Sequence, residues 1–158
     1  MTTAHAAEVS GGVSMSAVLI GAEPRIAITP HLSVLWPLEV NFTLAISDFL
    51  NVLPAVNMLG VGVYNQTSIR FGYAVQNLDF QIGPSLSAYS TPACNQGYCG
   101  RVVGIGPGGQ AQVDFYFFGP LGVSVSANVD WVGGRSLVLP GGVAAMIRLG
   151  PVLRWNSK

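Results

Sequence analysis

Three properties of this 158-residue sequence predict an all-β fold, namely an eight-stranded antiparallel up-and-down transmembrane β-barrel with a filled polar interior. Charged residues make up only 9% of the chain, too few to cover a soluble domain, of which about a quarter is charged. No apolar stretch reaches the roughly 18 to 20 residues that a spanning helix needs. Instead, segments of about ten residues alternate between apolar and polar positions, as in a barrel that faces lipid.

Composition also limits the partners and the domain organisation. Seven Lys and Arg residues balance seven Asp and Glu residues, so the chain has no basic face for nucleic acid. The mean hydropathy of +0.49 argues against disorder. We therefore expect one barrel domain over 9–155, between a disordered tail over 1–8 and a short tail over 156–158. Ala4-His5-Ala6 fits a signal-peptide cleavage site or a chance match equally well.

The first three strands follow from alternation of period two. Apolar residues occupy every second position over 9–19, 26–36 and 40–46. Turn-forming residues at 21–24 separate the first two strands, and we place a tight reversal at 36–38, before the third. The alternation stops at Asp48, which predicts a loop over 48–57.

The next two strands contain an ambiguity. Apolar positions alternate over 59–63, and Asn65-Gln66-Thr67 is a candidate turn. Alternation resumes at Ile69 and slips by one residue at Asn77 before it continues to Ile82. A bulge at this slip gives eight strands, whereas a two-residue turn at Gln76-Asn77 gives nine, and bacterial single-chain barrels have even numbers. We favour the bulge, and the turn remains the alternative.

The last three strands alternate over 111–117, 123–131 and 143–155. The intervening 90–109 and 133–142 are expected to be long outer loops, because outer-membrane barrels have short turns at one end and longer loops at the other. Pro30 and Pro151 argue against this assignment, since proline lacks the N–H that a strand ladder needs.

The composition of the polar face indicates that it points inward. It consists mainly of Ser, Gly, Ala, Asn, Gln and Thr, whereas a solvent face would be rich in Lys and Glu. Sparse charges inside a narrow barrel have to pair with one another. We expect a polar network in the lumen made by Arg25, Glu39, Arg70, Asp79, Asp114, Asp130 and Arg148. Aromatic girdles at the membrane interfaces are expected from Trp36, Tyr73, Trp131 and Trp155.

Over about residues 9–155 this pattern resembles the small outer-membrane β-barrel proteins of Gram-negative bacteria, of OmpA/OmpX type. The most specific element is the last strand, which alternates strictly up to Trp155. Members of such families usually end in an aromatic residue, whereas here Asn156-Ser157-Lys158 follows. The resemblance implies a location in the outer membrane and membrane lipid as a partner.

Few residues suggest specific chemistry. Cys94 and Cys99 lie in a turn-rich segment without further metal ligands, which favours a structural disulfide over a metal or redox pair. His31 and Ser33 share one face of a strand that Glu39 could approach, so these three are weak candidates for an activated nucleophile. A His-x-Ser pair is also similar to that of outer-membrane lipid A deacylases. We expect neither a metal site nor a cofactor.

Three functions remain open at this point. The first is a non-enzymatic outer-membrane barrel with a structural, anchoring or surface-interaction role. Its loops 48–57, 90–109 and 133–142 could contact a protein partner or another copy, because two of them are unusually apolar. The second is a membrane lipid hydrolase that uses His31 and Ser33. The third is a secreted β-protein that self-associates into a fibre or shell.

Overall fold

The computed structural model describes residues 7–20, 23–39, 41–54, 60–95, 98–135 and 140–156. Within these ranges it describes the side chains at all positions except 20, 23, 39, 91–99, 102, 132–135, 140–141 and 156. Among the described residues, no helix is long and apolar enough to cross a membrane.

The chain forms one closed antiparallel barrel in which each strand pairs with its neighbours in sequence and β1 pairs with β8. This confirms the predicted all-β, eight-stranded up-and-down fold. The strands are β1 Glu8–Ile20, β2 Glu23–Glu39, β3 Phe42–Leu53, β4 Gly62–Val75, β5 Leu78–Asn95, β6 Tyr98–Phe118, β7 Leu121–Arg135 and β8 Pro140–Asn156.

The strands are strongly tilted to the barrel axis. Following paired residues once around the barrel leads from Gly106 of β6 to Tyr116 of the same strand, a stagger of 116 − 106 = 10 residues. The intermediate partners are Ser87, Gln66, Phe49, His31, Gly12, Val152 and Gly122. For eight strands this stagger corresponds to a tilt of about 40°. Such a barrel is only wide enough for side chains to fill its interior.

The alternating faces point as the composition predicts. Val125 and Ile147 face outward and are 45% and 62% exposed, whereas Ser126 and Arg148 beside them are buried inside. Small hydroxyl side chains line much of the interior and leave room for the larger side chains that fill it. The wall is therefore apolar outside and largely polar inside.

The two ends of the barrel differ in their connections. The end that carries both chain termini, called here the terminus end, has three short connections, which join Glu39 to Phe42, Val75 to Leu78 and Phe118 to Leu121. Asn41 and Gln76 adopt positive φ there, and so does Gly119. The connections at the opposite end, called here the loop end, lie between β1 and β2, β3 and β4, β5 and β6, and β7 and β8.

Two expected connections were assigned to the wrong places. Gln76-Asn77 is a two-residue turn between β4 and β5 and not a bulge, whereas 65–67 lies inside β4 and is not a turn. The two errors cancel, so the number of strands is still eight. The expected reversal at 36–38 is also wrong, because β2 continues to Glu39 and β3 begins at Phe42.

The expected outer loops are shorter than predicted because the strands extend into them. β3 continues to Leu53, and β5 and β6 together cover almost all of 90–109. The β4–β5 ladder has its outermost pair at Val63 and Ser90, whereas the β5–β6 ladder continues to Asn95 and Tyr98. A two-stranded hairpin therefore projects beyond the barrel at the loop end.

Pro30 and Pro151 both lie within the wall and face outward. Two residue pairs are missing from the β2–β3 ladder at Pro30 and from the β8–β1 ladder at Pro151, and each ladder then resumes in the same register. The β4–β5 ladder has the same two-pair gap at Pro84. Each proline thus interrupts its ladder locally, as expected from its missing N–H, without opening the barrel.

Candidate functional site in the lumen

Apolar side chains close the lumen at the loop end. The rings of Tyr64 and Tyr89 are stacked with their centroids 5.7 Å apart. The cluster, called here the apolar cap, consists of Val18, Ala27, Leu53, Tyr64, Tyr89, Ala144 and Met146, all buried. Sequence analysis missed this cap because its members are spread over six strands and Leu53 falls in a segment assigned to a loop.

Asp130 of β7 lies directly beneath the apolar cap and is fully buried. Its carboxylate accepts hydrogen bonds from Tyr64 Oη at 2.7 Å, Asn128 Nδ2 at 2.6 Å and Ser85 Oγ at 2.8 Å. Gln66 Nε2 lies 3.4 Å from both carboxylate oxygens. Donors from β4, β5 and β7 itself therefore solvate this charge in place of water.

Glycine is required opposite Asp130. A Cβ atom on Gly108 would lie 1.9 Å from Asp130 Oδ1, far inside van der Waals contact. Gly108 pairs with Asp130 in the β6–β7 ladder. The glycine-rich segment 104–109 is part of β6, and Gly108 lets this strand approach a buried carboxylate.

Arg148 of β8 is linked to Asp130 through Gln66. It donates from Nη2 to Gln66 Oε1 at 2.6 Å and from Nε to Asn51 Oδ1 at 3.2 Å. Asn51 in turn accepts from Thr29 Oγ1 at 2.9 Å. The guanidinium is therefore held by amide oxygens that are themselves hydrogen-bonded.

A phenylalanine ring lies between the two most deeply buried arginines. The Phe49 centroid is 4.6 Å from Arg148 Cζ and 5.6 Å from Arg70 Cζ. His31 stacks on the same ring at 5.3 Å. Cation–π attraction is strongest where the cation is desolvated, so this ring stabilises charges that have little water around them.

Arg70 of β4 connects to a second carboxylate through Gln112. Its guanidinium donates to Gln112 Oε1 and to Ser47 Oγ. Gln112 Nε2 donates to the two oxygens of Asp114 at 2.8 and 3.0 Å. Glutamine relays join arginine to aspartate here, as Gln66 does for Arg148 and Asp130.

A direct ion pair closes the network at the terminus end. Arg154 Nη2 donates to Asp79 Oδ2 at 2.9 Å, and Arg154 Nε lies 3.5 Å from Glu8 Oε2. The same guanidinium stands over the Tyr116 ring at 4.1 Å. Sequence analysis did not include Arg154 in the network, although its inward register on the last strand was a usable signal.

The expected network residues have different positions. Arg70, Asp79, Asp114, Asp130 and Arg148 are all buried in the lumen. Arg25 is half-buried near the loop end, and the Glu39 side chain lies outside the described residues.

Of the three candidate catalytic residues, His31 and Ser33 are not hydrogen-bonded to each other, and the Glu39 side chain lies outside the described residues. Ser33 Oγ accepts a hydrogen bond from Ser47 Oγ at 2.6 Å, and neither nitrogen of the His31 imidazole has a hydrogen-bond partner. Both side chains are buried inside the wall, away from the outward surface. Among the described residues, no three of His, Cys, Asp and Glu are grouped to hold a metal ion.

Aromatic side chains ring the outside of the barrel mainly at the terminus end. Trp36, Tyr73 and Trp155 face outward there, whereas Trp131 faces outward near the loop end. The outward aromatic side chains at the terminus end are called here the aromatic belt. They are Trp36, Phe42, Tyr73, Phe80, Phe115, Phe117, Phe118 and Trp155.

Cys94 and Cys99 are register partners in the projecting hairpin. Their side chains lie outside those that the structure describes, so the disulfide stays a prediction.

Comparison with known proteins identifies the fold. No protein-family model matches the chain, and no curated protein matches it. Among solved structures, Neisserial surface protein A (NspA) covers 96% of this chain and 97% of its own, with a TM-score of 0.63 and 12% identity. The match to the N-terminal β-barrel domain of Pseudomonas aeruginosa OprF covers 96% of this chain and 98% of that domain, with a TM-score of 0.55 and 16% identity.

A third similar structure is Ail, the attachment invasion locus protein of Yersinia pestis. It covers 97% of this chain and 100% of its own, with a TM-score of 0.58 and 11% identity. All three neighbours are outer-membrane β-barrel proteins of Gram-negative bacteria. At these identities the likeness shows the fold alone, and that fold is the one expected from the resemblance to OmpA/OmpX-type barrels.

Proposed function

We propose that this chain is an integral outer-membrane barrel with a structural, anchoring or surface-interaction role. The observation that carries this proposal is the inverted wall, which is mainly apolar on the outside of the described strands and largely polar inside. In water such a surface would drive aggregation, whereas in lipid it is the stable arrangement, because a closed barrel pairs its backbone groups internally. The aromatic belt supports an interfacial position for the terminus end.

The lumen supports a barrel that is not an open pore. Side chains from all eight strands fill it, and the apolar cap lies across its loop end. The three arginines and three aspartates of the network balance one another in charge, so the interior does not favour ions of one sign. A network that joins side chains of several strands by hydrogen bonds stiffens the wall.

The loop end supports the interaction role. The projecting hairpin and the β3–β4 and β7–β8 connections lie at this end, and loops on a rigid scaffold commonly carry binding. Two structural neighbours, a surface protein and an attachment protein, are consistent with such a role. Protein partners or another copy are therefore proposed for the loop end, and membrane lipid for the wall.

Membrane fractionation tests this proposal. The expressed chain should sediment with the outer membrane, require detergent for extraction and migrate differently on gels before and after heating. Solubility in plain buffer without detergent would contradict the proposal. Sedimentation without lipid, as large particles, would instead support a fibre or shell subunit.

A further inference from the structure

The outward wall carries one polar patch, on β3 and β4. Asp48 and Thr67 are register partners and both are exposed, and Asn65 is half-buried two residues along β4. Thr67 Oγ1 donates to Asp48 Oδ1 at 3.1 Å. On the rest of the described wall, between the aromatic belt and the loop end, outward positions carry apolar side chains or glycine. We call Asp48, Asn65 and Thr67 the wall patch.

The wall patch lies at mid-height. Asp48 is the sixth residue after Phe42, which belongs to the aromatic belt, and the fifth before the end of β3 at Leu53. At about 3.3 Å per residue and a tilt of about 40°, Asp48 is about 15 Å above Phe42 along the barrel axis. The apolar band of outer-membrane barrels is about 25 Å tall. If the proposed function holds, the patch faces the middle of the hydrocarbon layer.

A carboxyl group at this depth is costly when it faces lipid. Within the described residues the Thr67 hydroxyl is its hydrogen-bond partner, and a carboxylate can accept several hydrogen bonds. Polar side chains in membrane segments commonly stabilise contacts between proteins by hydrogen bonding across the interface. The patch therefore requires a partner inside the membrane, which the loops cannot supply.

We infer that a second copy of this chain covers the wall patch and forms a dimer in the membrane. The patch is self-complementary, since Asp48 has acceptor positions that the single Thr67 hydroxyl proton leaves open, and the Asn65 amide of the second copy can donate to them. Two copies inserted in the same direction are related by a two-fold axis along the membrane normal, which preserves depth. An axis between β3 and β4 places Asp48 opposite β4 of the second copy, which carries Asn65, and the same contact forms reciprocally.

The surroundings of the wall patch fit such a contact. Apolar side chains that are all exposed form its rim, namely Leu32, Ile46, Leu50, Ile69 and Leu86. They can pack against the same residues of the second copy by van der Waals contact. A different membrane protein would have to bring its own donors to Asp48, whereas a second copy already has them.

Energy transfer between labelled copies in phosphatidylcholine vesicles tests the inference. For the full chain, transfer should rise with the protein-to-lipid ratio and fall when unlabelled copies are added. Asp48→Leu should raise the dissociation constant at least about tenfold, because two reciprocal hydrogen bonds are lost. Asp48→Asn keeps an acceptor and should stay within about threefold of the wild type, and Thr67→Val should be intermediate. Leu149→Ala, on the outward face of β8, is the control and should have no effect.

A wild-type chain that stays monomeric at every ratio would overturn the inference, as would an Asp48→Leu variant that associates as tightly as the wild type. Heat-dependent gel mobility shows that each variant is folded, and Thr67→Val gives a second measurement if Asp48→Leu does not fold. Fractionation separates the two proposals. A chain that does not enter the outer membrane contradicts the proposed function, whereas a membrane-inserted monomer contradicts only the dimer.

Discussion

Strands β7 and β3 distribute their side chains differently although both belong to the same wall. On β7 the outward positions Val123, Val125, Ala127 and Val129 are apolar, and the inward positions Ser124, Ser126, Asn128 and Asp130 are polar. On β3 this order is reversed at one step, where Asp48 points out and Phe49 points in. The fold thus tolerates a local inversion when each inverted side chain has a partner, here Thr67 for Asp48 and two guanidinium groups for Phe49.

The largest effect is expected from an acidic residue on the regular strand. Asp130→Ala removes the acceptor of hydrogen bonds from Tyr64, Asn128 and Ser85 and leaves buried donors without partners. We expect the free energy of unfolding to fall by about 3–5 kcal/mol, as when one member of a buried charged network is removed. Reversible urea unfolding in vesicles measures this change.

Asp130→Asn is the matched control, because an amide oxygen can still accept from Tyr64. Its loss should be smaller than that of Asp130→Ala. Equal losses for the two variants would mean that volume, and not hydrogen bonding, determines the stability of this layer.

The inversion on β3 also explains which parts of the fold could be predicted. β7 and β8 alternate without interruption, so their outward faces follow directly from the sequence, although both strands extend into the expected loop over 133–142. Asp48 and the polar run Asn65-Gln66-Thr67 break the alternation, and the same residues were assigned to a loop and a turn. In the structure both lie inside paired strands. Their polarity has other causes, since Gln66 binds Asp130 and Arg148 in the lumen while Asp48, Asn65 and Thr67 form the wall patch.

The lumen network could be anticipated only as a set of residue types. Periodicity shows which side chains face inward, but pairing depends on the stagger of ten residues, which no local pattern contains. Arg148 and Gln66 are 82 positions apart in the sequence and still hydrogen-bonded. Arg154 and Asp79 are likewise 75 positions apart. For this reason the glutamine relays and the place of Phe49 were not predictable.

A second test compares two phenylalanines on opposite faces. Phe49 is 1% exposed and lies between Arg70 and Arg148, whereas Phe71 of β4 points outward. We expect Phe49→Ala to lower the free energy of unfolding in vesicles by about 3 kcal/mol, because it leaves a cavity beside two buried cations. Phe71→Ala should cost less than about 1 kcal/mol, since acyl chains can occupy the space. The reverse order would show that the apolar face is the core of a soluble barrel.

A third test restores the regular order on β3. Asp48→Leu places an apolar side chain on the outward face, and it should increase the stability of the isolated barrel in dilute vesicles by about 1–2 kcal/mol. At high protein-to-lipid ratios part of this gain should disappear, because the wild type is then stabilised by association. A gain that does not depend on the protein-to-lipid ratio would favour a simple solvation cost at Asp48.

The smallest effect is expected at the candidate catalytic pair, which lies on the inward face of β2. His31→Ala and Ser33→Ala should leave the release of fatty acid from lipid A or phospholipid vesicles unchanged and at background. Ser33 is hydrogen-bonded to Ser47 and not to His31, and both side chains are enclosed by the wall that would separate them from a lipid ester. A general base must lie within about 3 Å of the proton that it takes, directly or through one water molecule. If the wild type released fatty acid and either substitution abolished this release, the wall at β2 would have to open. That result would favour the hydrolase over the structural role.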